Sequence, residues 1–107
     1  MSVNVEAIWC VHDDSAFLAL SLDSFARVEN RTVYVSRTPW FGPIGDWEES
    51  VRIAESRGVK VEIGDWADES LHRRHALEAA KANGRDFVFV VDGDEVIQAQ
   101  LLDHLLK

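Results

Sequence analysis

Cysteine, proline and basic charge are all scarce in this chain, and each shortage excludes something. Cys10 stands alone among 107 residues, so no intrachain disulfide and no cysteine-based zinc site can form. Only two prolines occur, both between residues 38 and 44, which leaves the rest of the backbone free for regular structure. Eleven Lys and Arg face nineteen Asp and Glu, a formal net charge of −8. Such a surface repels a phosphate backbone, so no nucleic acid is expected as a partner. No apolar run reaches the roughly 18–20 residues of a membrane span, and no basic-then-apolar leader opens the chain. A single cytoplasmic α/β domain is the expectation for this length, and 47% hydrophobic residues suffice for a core.

Apolar strand-like runs alternate with helical patterns. Val5 to Val11 reads as a first strand and stops at His12-Asp13-Asp14. A helix is expected from about Ser15, with Phe17, Leu18, Leu22 and Phe25 as its buried stripe. Arg31 to Ser36 is β-branched and aromatic, a second strand. Ser36 to Gly45 holds both prolines and two glycines and must be a loop. Asp46 with Glu49 marks a helix start, and Gly58 a stop. Val59 to Ile63 alternates apolar and charged residues as an edge strand does. A helix from near Asp68 to Asn83-Gly84 presents Ala76, Ala79 and Ala80 to the sheet. Phe87 to Val91 is apolar on both faces, the pattern of a central parallel strand. Val96 to Leu106 reads as a last helix, with Ile97, Leu101, Leu102 and Leu105 on one side.

The order βαβαβαβα implies a Rossmann-like parallel sheet with right-handed crossovers and helices on both faces. The economical strand order is 3-2-1-4. Crossovers then reverse direction between the first and fourth strands, and ligands bind at such a switch point, beyond the carboxyl ends of the strands. That rule puts His12-Asp13-Asp14 beside Asp92-Gly93-Asp94-Glu95 before any motif is consulted. Two carboxylates one residue apart can converge on a hard divalent cation such as Mg²⁺ or Mn²⁺. The plainer role of acids after a strand is to sit at the next helix N-terminus.

The stretch from Trp66 through Leu71-His72-Arg73-Arg74-His75-Ala76, followed by Phe87-Val88-Phe89-Val90-Val91-Asp92-Gly93-Asp94-Glu95, resembles family 2 glycosyltransferases of the GT-A fold. Members show a tryptophan, a helix opening on an Arg-Asn-x-Ala-like run, and a hydrophobic strand ending in Asp-x-Asp-Glu. The resemblance implies that Asp92 and Asp94 hold Mn²⁺ or Mg²⁺ and, through it, a nucleotide-sugar donor. It implies that Arg73 lies near the donor phosphates, and that Asp13 and Asp14 meet the nucleobase or ribose. Arg74 stands where the family has Asn, and Ser36-Arg37-Thr38-Pro39-Trp40 replaces the family's base-recognising acids, so the base is left open. Trp40 is a candidate to stack on the base, and surface or core packing is its simpler role.

By this resemblance the chain corresponds to the N-terminal, nucleotide-binding half of an incomplete GT-A domain, with no catalytic base to assign. Its sheet would expose the flank of the fourth strand to a second copy of the chain. The rival expectation is a non-catalytic α/β binding or oligomerisation module derived from such an enzyme. A phospho-receiver fits poorly, because Asp65 would have to be the acceptor and no fifth strand exists. His72 and His75, one turn apart, lack a third metal ligand. Cys10, in an apolar strand without a basic neighbour, reads as an inert thiol.

Overall fold

The computed structural model describes residues 3–107. Four strands, β1 (Val5–Val11), β2 (Asn30–Ser36), β3 (Lys60–Gly64) and β4 (Phe87–Val91), alternate with four helices, α1 (Ser15–Ser24), α2 (Trp47–Ser56), α3 (Glu69–Ala82) and α4 (Ala99–Leu105). All three strand pairings are parallel, in the order β3-β2-β1-β4. Trp9 pairs with Val33 on one side and Val91 on the other, so β1 is central and its carboxyl end lies beside that of β4. The α/β class and strand order are those read from the sequence.

Two unequal cores lie on the two faces of the sheet. Ala7, Trp9 and Val11 of β1 and Val33 and Val35 of β2 pack with Leu18, Leu22, Phe25, Ala54 and Leu102, which brings α1, α2 and α4 onto one face. Alternate residues Ile8 and Tyr34 meet Ala76 of α3 on the other, as the two-residue period of a strand requires. The Trp9 ring meets Phe25 edge-on at 5.5 Å, and its indole N–H donates to buried Ser21 Oγ at 2.8 Å. That bond removes the cost of an unpaired buried donor, about 1–3 kcal/mol.

Local signals explain the element ends. Asp46 accepts from Glu49 N and Asp68 from Leu71 N, so each aspartate satisfies a free amide at the start of its helix. Gly58 and Gly84 take positive φ after α2 and α3, a conformation that other residues adopt at a steric cost. Ala76 and Ala80 are fully buried, and their missing bulk lets α3 lie close to the sheet.

Three expectations need correction. Phe17 is 56% exposed and does not join the stripe of Leu18, Leu22 and Phe25. It lies one residue, or about 100° of helix rotation, away from that stripe. β4 is an edge strand rather than a central one, and Phe87 and Val90 remain exposed. The last helix starts at Ala99, because Asp92 to Glu95 first forms a tight turn closed by Glu95 N–H donating to Asp92 O. Of its apolar residues, Leu102 is buried and Leu101 and Leu105 are exposed.

Candidate functional site

A cleft of about 540 Å³ opens beyond the carboxyl ends of β1 and β4, lined by Asp13, Asp14, Arg73, Asp92 and Asp94 together with Phe17, Trp40 and Phe41. All five residues singled out from the sequence as a donor and metal site therefore share one cavity. A more enclosed groove lies elsewhere, among Val3, Phe87 and Leu105. It is mostly apolar and holds none of the acids.

Strand ends place the acids. β1 stops at Val11, so Asp13 and Asp14 fall in the turn into α1; β4 stops at Val91, so Asp92 opens the next turn. Gly93 makes the approach of the two turns possible. A Cβ at that position would lie 2.8 Å from Asp14 Cβ and 3.2 Å from its Cγ, closer than side chains tolerate. The glycine inside Asp-x-Asp is thus a spacing device between the two acidic turns. Gly45 plays the same part on the other side, where a Cβ would come within 2.2 Å of Asp13 Oδ2.

Electrostatically the cleft has one cation against several acids. Arg73 reaches from α3 and donates from Nη2 to Asp92 Oδ1 at 2.8 Å. Its Nε is buried without a partner. The pair joins two of the sequence-predicted residues and leaves the second oxygen of Asp92 clear of Arg73. Asp94 makes no ion pair among the described residues. Loss of hydration at the crowded end of the cleft raises the Asp14 pKa above its ordinary value, and the neighbouring charges of Asp13 and Asp94 raise it further. Those charges lie close enough to repel one another. Glu95 Oε1 accepts from Asp92 N–H at 2.7 Å, so it locks the turn.

Among the described residues, no three His, Cys, Asp or Glu side chains are grouped as a metal cage. Mg²⁺ and Mn²⁺ sites that act on phosphates do not need one. One or two carboxylates suffice, with waters and phosphate oxygens completing the shell. Asp92 and Asp94 fit that kind of ion.

Cys10, His72 and His75 are held by packing and hydrogen bonds. Burial pushes the Cys10 thiol up to about 12, in keeping with an inert cysteine. His72 is fully buried, stacked on Trp66 with ring centroids 4.7 Å apart, and burial lowers its pKa to about 4. His75 bonds Glu62 at 2.7 Å instead of sharing a metal with His72.

Sequence reasoning passed over Phe17 and Phe41 as cleft residues and named base stacking for Trp40 only as the lesser of two roles. Phe17 carried a signal, since its phase differs from the buried stripe. Phe41 carried none, because a ten-residue loop has no periodicity to read. Compared with known protein families, curated proteins and solved structures, the chain matches none.

Proposed function

We propose that this chain is the donor-binding domain of a metal-dependent glycosyltransferase, similar to the family 2 enzymes, taking a nucleotide diphosphate sugar in the cleft between β1 and β4. The observation that carries the reading is the convergence of Asp13, Asp14, Arg73, Asp92 and Asp94 at the topological switch point. Asp92 and Asp94 would hold Mg²⁺ or Mn²⁺, and the ion's chemistry there is to neutralise charge on the diphosphate. Arg73 orients Asp92 and adds a second positive charge beside the phosphates. Asp13 and Asp14 offer acceptors for ribose hydroxyls or for base N–H groups. Phe17, Trp40 and Phe41 give the cleft an apolar side against which a flat base can rest. No residue is assigned as a general base, so the proposed activity of these residues is binding.

The Arg73–Asp92 pair also favours a second reading. It balances one cleft charge without any ligand, as expected of a non-catalytic module that keeps the fold and has lost the donor.

Calorimetric titration of UDP and GDP, each with and without Mn²⁺, separates the two. The first reading expects binding that requires the metal and is abolished in Asp94→Ala. No binding to wild-type protein whose circular dichroism shows a folded domain would favour the module.

A further inference from the structure

The loop of residues 37–46 covers one side of the cleft with Trp40 and Phe41, and two histidines tie it down from below. His12 Nδ1 lies 2.7 Å from the Ser36 carbonyl, while Gly45 N–H donates to its Nε2 at 2.9 Å. His72 Nε2 lies 2.8 Å from the Tyr34 carbonyl, while the Trp40 indole N–H donates to its Nδ1 at 3.1 Å. A carbonyl can only accept and an N–H can only donate, so each ring has one protonated and one bare nitrogen. The partners assign opposite tautomers: a proton on Nδ1 in His12 and on Nε2 in His72. In both, the bare nitrogen holds the loop and the protonated one holds β2.

We propose that residues 37–46 form an acid-releasable flap over the cleft, held shut at Trp40 by the neutral imidazole of His72 and bonded at Gly45 by His12. A proton added to the bare Nδ1 of His72 turns an acceptor into a donor facing the Trp40 indole N–H, and that loop bond is lost. Release at His72 frees Trp40, while Gly45 stays seated against Asp13.

The surroundings of His72 make its neutral form the stable one. Water is excluded, Arg73 and His75 of its own helix are the charged groups facing it, β2 presents only the Tyr34 carbonyl, and Trp40 and Trp66 present rings. Around His12, the acids are Asp13 and Asp14 of the following turn; β2 presents the Ser36 carbonyl, and Ser50 of α2 donates to the His12 carbonyl. The loop's other anchors hold its two ends: Ser36 Oγ accepts from Trp66 N–H and Arg37 pairs with Asp65 at the start, and Asp46 accepts from Glu49 N–H and pairs with Arg52 at the finish. The tip, with Phe41 87% and Ile44 73% exposed, has little else to keep it in place.

The flap stands independently of any sugar donor and is tested without one. Nitrogen-15 spectra of the wild-type protein from pH 7.5 to 4 read the ring tautomers, the exchange protection of Gly45 N–H and Trp40 indole N–H, and the protection of Val33 and Val35 in β2. The expected result is the two tautomers above at pH 7.5. As His72 gains its proton, protection of the Trp40 indole N–H should fall at least tenfold, with β2 still protected. His12→Ala should remove Gly45 protection already at pH 7.5. Free exchange of both loop protons at pH 7.5, Trp40 protection that survives protonation of His72, or loss from loop and β2 together would each overturn the flap.

Discussion

Gly93 occupies a position where even a methyl group collides with Asp14, and its φ is not in the positive range, so the constraint is one of space. Gly93→Ala is expected to cost about 1–3 kcal/mol, the range for overpacking, and to weaken nucleotide binding by displacing Asp14. Chemical denaturation and titration of the variant check both effects. His72 gives a pH dependence with a definite sign. Its folded pKa of about 4 lies below the ordinary value near 6.5, so acid protonates the unfolded chain first and favours it. Stability from this group is therefore complete above about pH 6.5 and falls towards pH 4, by up to ~3 kcal/mol. Urea midpoints at several pH values should show that slope in wild type and a flatter one in His72→Gln. Both effects were illegible in the sequence, because a glycine or a histidine acquires its role from the residue packed against it.

Elements with local punctuation were legible; elements defined by what covers them were not. Asp68, Gly84 and the buried alanines bound α3 within a residue of the expected span. Asp68→Ala should cost about 1 kcal/mol by leaving Leu71 N–H without its cap, measured as a lowered denaturation midpoint. β4 shows the opposite case. Phe87 to Val91 is apolar on both faces, which says nothing about whether a strand lies on each side. The sheet ends there, with Phe87 67% exposed and Phe89 packed in the core at 5.6 Å from Phe25. Phe25→Ala should accordingly cost about 3–5 kcal/mol, whereas Phe87→Ser should change stability by less than about 0.5 kcal/mol. Equal losses in the two variants would contradict the assignment of β4 to the edge.

At the scale of the molecule, strand order followed from the alternation of elements, from handedness, and from the contrast between the alternating third strand and the wholly apolar fourth, and with it the place of the cleft. The crossovers carry α1 and α2 across one face and α3 across the other. This opposition parts the turns after β1 and β4 and leaves acids at the mouth. What those acids bind depends on distances no linear pattern contains. An example is the Arg73–Asp92 pair, whose members stand 19 residues apart in sequence.

Paramagnetic broadening by Mn²⁺ in the presence of UDP or GDP tests the central claim most directly, because it reports where the metal sits in the folded, unmodified protein. The account predicts that amide signals of residues 13–14 and 92–95 vanish first, at metal concentrations that leave the far ends of β1 and β4 untouched. Uniform broadening, or broadening centred on Glu62 and His75, would contradict a metal-dependent donor site in this cleft.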